Sequence, residues 1–363
     1  MMNQFEHGGN LHRFKRTGDR ALIDFSANIN PLGLSLKVKQ AIEDQITEII
    51  HYPDSEGYDL KQALSQQYCL KKEQIVLGNG AVELLYILCH QLQPKKVLIP
   101  VPSFSEYERA ARSVNAEIHY DLLNAENGFK LDSNLLATKL SHYDILFIGN
   151  PNNPTGTLLT IKEIETLLNA AKLSNTFVVI DESFIDFITN GEAYTAKHFI
   201  ADYDNLLILH SLTKFYAIPG LRLGFAATNE SLAQKLHLAK DPWNVNSLAQ
   251  IAGVSALADE SYQQASRSFI YHEIRRFTEK LNQFKMLTIY LPSVNFVLVN
   301  IQKTGFTAPQ FRDLCLKENV LIRDCSNYPG LSADYVRFAI KSTKENNYLY
   351  QVLEKILCGD QND

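Results

Sequence analysis

Apolar and polar positions follow one pattern in the first two thirds of the chain. Between about residues 75 and 226, the short apolar runs KVLIPV, AEIHY, DILFIG, TFVVID and LLILHS alternate with amphipathic stretches of helical period. Such alternation is typical of a mostly parallel sheet that helices cover on both faces. This segment therefore predicts a large α/β domain.

The pattern changes after residue 242. Helical stretches run from Ser247 to about Met286, and two strand-like runs follow, LTIYLP and NFVLVNI. A helix is predicted from Ala308, with short strands near LIRD and YVRFAI. The first 35 residues are rich in turn formers and predict an irregular arm rather than a helix or strand. The predicted units are an N-terminal arm at 1–35, a large domain at 36–245 and a smaller α+β domain at 246–363.

Composition narrows the classes of partner. The 363 residues are 45% hydrophobic, which suffices for a large core, and the net charge of -5 gives no general attraction to nucleic acid or anionic membrane. No apolar signal region or run of about 20 apolar residues is present. The five scattered cysteines lack metal-like spacing and predict buried thiols in a reducing compartment. We expect a cytoplasmic protein that binds small molecules, with no metal, nucleic acid or membrane partner.

The segment HSLTKFYAIPGLRLG carries the most chemistry. Lys214 follows a predicted buried strand, Ser211 and Thr213 precede it, and Arg222 comes eight positions later. Two hydroxyls and a guanidinium are suitable donors for a phosphate monoester. A lysine amine that desolvation keeps deprotonated can form an imine with an aldehyde. Taken alone, Lys214 also fits a solvated lysine in a surface loop.

Two further segments place polar side chains at strand ends. In NPNNPTG (150–156), the density of Asn and Pro predicts a tight turn that holds an Asn amide rigidly. In TFVVIDES, Asp181 closes an apolar strand, where an unpaired carboxylate is costly. A pyridinium N–H would supply the partner and make that ring an electron sink. The alternative is an aspartate that caps the next helix.

Two weaker segments complete the set. In GNGAVELL, Gly78 and Gly80 lead into a helix predicted from Ala81, whose free N–H groups favour an anion. In VPSFSEYERA, Phe104 follows a strand and can stack on a planar ring, although an isolated aromatic is more often part of a core. All five segments occur in chain order at strand ends.

That order resembles the class I/II aminotransferase superfamily over essentially the whole chain. The resemblance implies the aspartate-aminotransferase-like fold of pyridoxal 5′-phosphate (PLP) enzymes, with a large α/β domain around a mostly parallel central sheet and a smaller α+β domain. It also implies a homodimer with shared active sites. The implied roles are Lys214 as the Schiff-base lysine, Asp181 on the pyridine nitrogen, Asn153 on ring O3′, Phe104 stacked on the ring, Ser211, Thr213, Arg222 and the Gly80 and Ala81 backbone on the phosphate, and Tyr52 of HYPD on the partner's cofactor phosphate.

Two arginines near the end of the chain suggest the substrate. Arg323 in LIRDCSNYPGL and Arg337 in YVRFAIKS suit a carboxylate and a phosphate by bidentate pairing, although each also fits a surface ion pair. With HGGN (7–10), DFSANINPLG (24–33) and PWNVN, these segments resemble the L-threonine-O-3-phosphate decarboxylases. That family makes (R)-1-amino-2-propanol O-2-phosphate for cobalamin. The implied substrate contacts are His7, Gly8, Asn28, Asn153, Arg323 and Arg337, with Arg337 at the usual carboxylate position.

Two other functions stay open. Histidinol-phosphate aminotransferases share the fold, the cofactor contacts and a phosphorylated substrate. They usually place a tyrosine three residues after the aspartate, whereas this chain has Phe184, which cannot donate to O3′. A non-catalytic PLP-binding sensor normally carries a DNA-binding segment ahead of the fold, and only about 35 residues precede the first substantial predicted helix here. The leading hypothesis is PLP-dependent decarboxylation, with Lys214 as the expected proton donor and a water or a tyrosine as the alternatives.

Overall fold

The structure is a computed structural model that describes residues 8–9 and 22–359. The strands are β1 (Ile23–Asp24), β2 (Ile75–Asn79), β3 (Lys96–Val101), β4 (Glu117–Leu122), β5 (Ile145–Gly149), β6 (Phe177–Asp181), β7 (Leu206–Ser211), β8 (Leu223–Thr228), β9 (Thr288–Ile289), β10 (Phe296–Asn300), β11 (Val320–Leu321), β12 (Arg323–Asp324) and β13 (Tyr335–Ala339). The helices are α1 (Leu36–Asp44), α2 (Tyr58–Tyr68), α3 (Ala81–Leu92), α4 (Glu106–Arg112), α5 (Ser133–Ala137), α6 (Ile161–Ser174), α7 (Leu212–Phe215), α8 (Glu230–Ala239), α9 (Ser247–Leu257), α10 (Glu260–Leu281), α11 (Ala308–Lys317) and α12 (Thr343–Cys358).

The central sheet has seven strands in the order β2-β8-β7-β6-β5-β3-β4. All pairs from β7 to β4 are parallel, and only β8 runs against its neighbours β7 and β2. Successive strand residues enter two separate apolar cores, as Val179 and Ile180 of β6 do. Because both faces are buried, the strands appear in the sequence as continuous apolar runs. The predicted mostly parallel α/β sheet is confirmed.

The carboxyl ends of neighbouring parallel strands bring polar residues to one edge of this sheet. Asp181, the last residue of β6, lies opposite Gly149 of β5 and Leu209 of β7. Ser211 ends β7 and pairs with Gly224 of β8. Ligands of open α/β sheets bind at this edge, where the loops that follow the strands converge.

A second, antiparallel sheet has the order β12-β13-β10-β9. The helices α11 and α12 contact one another beside it. Arg323 of β12 and Arg337 of β13 lie directly opposite each other. The four strands agree with the runs that the sequence predicted near LTIYLP, NFVLVNI, LIRD and YVRFAI, whereas the predicted domain boundaries stay a prediction.

The N-terminal arm differs from its prediction at one place. Ile23–Asp24 form a short strand, β1, that pairs in parallel with β11. Phe25 continues the ladder by donating to the carbonyl of Leu321 at 2.7 Å and accepting from the amide of Ala339 at 2.8 Å. The free edge of β11 satisfies the backbone of the arm, so the expectation of a wholly irregular arm is wrong here.

The cysteines also differ in part from expectation. Cys89, Cys315 and Cys325 are buried, as predicted, but Cys69 and Cys358 are exposed, and all five are free thiols. Cys69 caps the C-terminus of α2 and Cys358 ends α12, where the buried face of each helix stops. Within the residues described, no helix combines the length and the apolar character needed to cross a bilayer.

Candidate active site

Lys214 lies in the short helix α7, which begins directly after β7. Its partly buried amine donates to the Ser211 hydroxyl at 2.9 Å. The pKa of the amine is lowered to about 8, chiefly by burial; the Asp181 carboxylate opposes this shift and the Arg222 guanidinium adds to it. A surface position for Lys214 is therefore wrong, and a substantial fraction of the amine is neutral near physiological pH.

The donors predicted for a phosphate surround this lysine. The buried hydroxyls of Ser211 and Thr213 lie 2.8 Å apart. Ser211 pairs with Gly224, where an added Cβ would lie 2.5 Å from the amide nitrogen of Ala81. This close approach brings the first turn of α3, with its unpaired N–H groups, next to the two hydroxyls.

Gly80 completes the same set of donors. It precedes α3 with φ of 77°, and an added Cβ there would lie 2.2 Å from a guanidinium nitrogen of Arg222. Only glycine allows this contact, because a side chain would be both strained and displaced by the guanidinium. Two hydroxyls, one guanidinium and a helix N-terminus thus form a compact anion site beside Lys214.

Asp181 is 7% exposed and accepts hydrogen bonds on both carboxylate oxygens. The Ser183 amide donates to Oδ1 at 2.9 Å, and the Tyr107 hydroxyl donates to Oδ2 at 2.8 Å. The short helical turn that follows begins only at Ile185, so Asp181 caps no helix and the capping interpretation is wrong. Each oxygen has a further lone pair, so the carboxylate can still accept from a ring N–H.

Tyr107 is the residue of this site that sequence reasoning missed. It lies in α4, three positions after Phe104 in VPSFSEYERA, and the two rings meet edge to face with centroids 5.6 Å apart. That spacing is one helical turn, which gives a weak signal that both aromatics face the same side. Nothing in the local pattern indicates Asp181 as the partner of the Tyr107 hydroxyl.

Phe184 borders the lysine. Its ring centroid lies 5.8 Å from the Lys214 amine, and the ring packs edge-on against Phe296 at 5.1 Å. The position that usually carries a tyrosine in the aminotransferases therefore presents only an apolar surface to the amine.

The two predicted arginines lie side by side and are nearly buried. Arg337 is 4% exposed; it donates to the Asn153 side-chain oxygen and, at 2.9 Å, to the Ser26 carbonyl. Arg323 is 7% exposed; it donates to the Asn327 side chain at 2.7 Å and lies over the Tyr328 ring. Neither is a surface arginine. Two like charges directly opposite on paired strands repel each other, and a bound anion would relieve that repulsion.

The N-terminal arm reaches the same arginines. The amide of Gly9 donates to the Ser26 hydroxyl at 2.8 Å, and an added Cβ on Gly8 would lie 2.0 Å from the Ser26 carbonyl oxygen, the acceptor of Arg337. Asn28 is buried, and its side-chain oxygen has no hydrogen-bond partner among the described residues. His7 lies outside the described residues.

Among the predicted site residues that the structure describes, Arg222 is exposed, and so is Tyr52. It is 79% exposed, and its ring stacks on Trp243 with centroids 4.6 Å apart. Ile49 and Ile50, just before it, are also exposed. An exposed aromatic among exposed aliphatic side chains is suited to contact another protein surface.

Comparison with known proteins gives consistent matches. Residues 20–356 match the family model described as aminotransferase class I and II. The chain is 36% identical to a threonine-phosphate decarboxylase of Salmonella typhimurium over 97% of each protein. It is 33% identical to an adenosylcobalamin biosynthesis bifunctional protein of Leptospira interrogans, matching 99% of this chain and 42% of that protein. A solved histidinol-phosphate aminotransferase of Clostridium acetobutylicum is 33% identical, with a TM-score of 0.87, 93% of this chain covered and 100% of that one.

Proposed function

The chain belongs to the aminotransferase class I and II family, and from this premise we propose that it is a PLP enzyme that decarboxylates L-threonine O-3-phosphate to (R)-1-amino-2-propanol O-2-phosphate. The family is PLP-dependent. The observation that carries the proposal is the buried pair Arg323 and Arg337, which suits one substrate with two anionic groups. Similarity over 97% of the chain to a protein named as a threonine-phosphate decarboxylase supports the choice of reaction.

The residues present fit PLP. Lys214 has an amine that is partly neutral, and the donors beside it match a phosphate monoester in number and charge. Asp181 has acceptor capacity for a ring N–H in a buried setting. When bound, PLP supplies an electron sink for the electron pair that remains on Cα after carbon dioxide departs.

Two arginines would orient the substrate, and a lysine would protonate it. The orientation of the bound substrate decides which bond at Cα breaks, so placement of the substrate carboxylate would select the reaction. We assign the carboxylate to Arg337, which Asn153 and Ser26 hold in place, and the substrate phosphate to Arg323 and the arm. Lys214 would then deliver a proton to Cα, a role for which its pKa, lowered to about 8, is suited.

Histidinol-phosphate aminotransferase is the second candidate. The solved enzyme from Clostridium acetobutylicum has the same fold, so the fold does not discriminate between the two functions. Phe184 favours decarboxylation, because it leaves Asn153 without the tyrosine partner that the transaminases use at ring O3′.

The test is product analysis by mass spectrometry. PLP-loaded protein is mixed with L-threonine O-3-phosphate without a keto acid. We expect aminopropanol phosphate and carbon dioxide from the wild type and from Lys235→Ala, an exposed lysine on α8, and none from Lys214→Ala. Conversion of histidinol phosphate on addition of 2-oxoglutarate, with no decarboxylation, would replace the proposal by the aminotransferase.

We also propose a homodimer in which Tyr52 serves the site of the other subunit. Its exposure, together with the exposed Ile46, Ile49, Ile50 and Tyr58, supports a contact with a second copy. Co-refolding Tyr52→Ala with Lys214→Ala tests this, because only hybrid dimers with a shared site contain one intact site. Activity of the mixture above that of either variant supports sharing; activity equal to the better variant contradicts it.

We further propose that the product enters cobalamin synthesis in the cytoplasm. The Leptospira interrogans relative is named for adenosylcobalamin biosynthesis, and its similarity spans 99% of this chain. Expression of this chain in a bacterium that lacks its own threonine-phosphate decarboxylase should restore cobalamin-dependent growth, and Lys214→Ala should not. Restoration by both, or by neither, would contradict the assignment.

A further inference from the structure

The hydrogen bond between Tyr107 and Asp181 joins two buried groups. Tyr107 is 2% exposed, and its hydroxyl lies 2.8 Å from Asp181 Oδ2. The other carboxylate oxygen accepts from the backbone amide of Ser183. Of these two donors among the described residues, the Tyr107 hydroxyl is the one that a side-chain substitution can remove.

Packing fixes the direction in which the Tyr107 hydroxyl points. The ring stacks on Phe147 of β5 with centroids 5.5 Å apart and an interplanar angle of 5°, and it meets Phe104 edge to face. Gly149, two residues after Phe147, lies opposite Asp181, and an added Cβ there would lie 3.3 Å from the Tyr107 oxygen. The missing side chain at Gly149 leaves room for the hydroxyl to reach the carboxylate.

Burial and the neighbouring carboxylate keep the Tyr107 phenol protonated, so that it can donate a hydrogen bond. Burial, and then the charge of Asp181, raise the pKa of the Tyr107 phenol well above 10, so the O–H stays intact at any working pH. A fixed neutral donor stabilises a carboxylate in preference to a carboxylic acid. An anionic Asp181 opposite a pyridine nitrogen in turn stabilises the proton on that nitrogen.

We propose that Tyr107 is a positioning residue that holds Asp181 as an anion and thereby keeps the proton on the ring nitrogen of the bound cofactor. The inference rests on the proposed function, because it assumes that PLP binds with its nitrogen at Asp181. Without the hydroxyl, the buried carboxylate loses one of its two donors, and the shared proton moves toward the carboxylate oxygen. The ring then withdraws electrons less strongly from Cα.

The test is Tyr107→Phe, which keeps the ring and its stacking on Phe147. The matched control is Tyr68→Phe, because the Tyr68 hydroxyl is also buried and donates to a buried carboxylate, Asp186, at 2.9 Å. The first readout is the ¹⁵N chemical shift of ring-labelled PLP in the resting holoenzymes, without substrate. The second readout is steady-state kinetics, which shows whether the substitution changes kcat or KM. Denaturant unfolding checks that both variants fold.

We expect the ¹⁵N signal of Tyr107→Phe to move toward that of unprotonated pyridine and the signal of Tyr68→Phe to match the wild type. For a hydrogen bond to a charged group, kcat should fall about tenfold to a hundredfold, with KM changed less than about twofold. A fall in kcat with an unchanged ¹⁵N shift, or no fall at all, would overturn the proposal.

The readout separates this inference from the proposed function. The ¹⁵N measurement uses resting holoenzyme, so it gives the same answer whether the wild type decarboxylates or transaminates. A wild-type chain that binds PLP and shifts its signal as expected in Tyr107→Phe, yet fails to decarboxylate, would refute only the reaction. A wild-type chain that does not bind PLP would overturn both proposals.

Discussion

The candidate active site has two regions that are built differently. The proposed cofactor region consists of Gly80, Ala81, Phe104, Asp181, Ser211, Thr213, Lys214 and Arg222. The proposed substrate region consists of Gly8, Asn28, Arg323 and Arg337, and Asn153 is assigned to both. In the cofactor region, Asp181 and Ser211 end neighbouring strands of one sheet, and Lys214 lies in the helix that follows directly. In the substrate region, Arg337 of the second sheet contacts Ser26 of the arm and Asn153 in the loop that follows β5.

The difference shows how one fold can keep its cofactor chemistry while its substrate changes. The positions of Asp181 and Ser211 depend on a seven-stranded sheet whose hydrogen bonds tie each strand to its neighbours. The position of Arg337 depends on three separate segments that meet only when the second sheet and the arm pack correctly. We therefore expect changes in the substrate region to alter KM without altering PLP binding, and changes in the cofactor region to alter kcat.

The largest effect is expected from Asp181→Asn. It replaces the anion at the buried edge of the sheet by a neutral amide, so kcat should fall roughly a hundredfold to a thousandfold, as for loss of one preorganised electrostatic group. Asp202→Asn, an exposed aspartate, is the control. Steady-state kinetics measure the effect; an unchanged kcat would show that Asp181 does not face the reacting system.

Arg337→Ala should separate the two regions. Removal of one member of a buried, hydrogen-bonded charged contact costs about 2–5 kcal/mol, so KM should rise at least about thirtyfold. The affinity for PLP should change little, because neither Lys214 nor the donors proposed for the cofactor phosphate are among the hydrogen-bond partners of Arg337. Arg275→Ala, on an exposed face of α10, is the control, and a parallel loss of PLP binding would contradict the division.

The pH dependence of holoenzyme formation sharpens the same comparison. The pKa of Lys214 is lowered to about 8, and only the neutral amine attacks the aldehyde of PLP. The neutral fraction, and with it the rate of holoenzyme formation, should rise about fiftyfold from pH 6 to pH 8 and level off above. Stopped-flow absorbance measures this rate. A rise that continues to pH 10 would show that burial does not lower the pKa of this lysine.

Gly8→Ala should have the smallest effect. The added methyl would lie 2.0 Å from the Ser26 carbonyl that Arg337 uses, so the arm must shift. Because one arm contact is lost while both arginines remain, KM should rise about tenfold with kcat nearly unchanged. The control is Gly220→Ala, where an added Cβ meets nothing within 4 Å. The same KM for the two variants would show that the arm does not contribute to substrate binding.

Much of the cofactor region was predictable from the sequence because its signals are local. An apolar run ends in Asp181, another ends in Ser211, and Gly80 precedes a helical pattern, so each residue could be assigned to the end of an element. The resemblance to the aminotransferases then supplied the roles. The expectation of a wholly irregular arm was wrong because β1 forms only by pairing with β11, which lies about 300 residues later in the chain.

The sequence by itself determined the parallel sheet, the strand ends that carry Asp181 and Ser211, and the resemblance that indicates PLP. Only the tertiary structure decided that Tyr107 donates to Asp181, 74 residues away, and that Arg337 reaches the Ser26 carbonyl, 311 residues away. The physical reason is that hydrophobic periodicity specifies which face of an element is buried, whereas these contacts depend on how separate elements pack against each other.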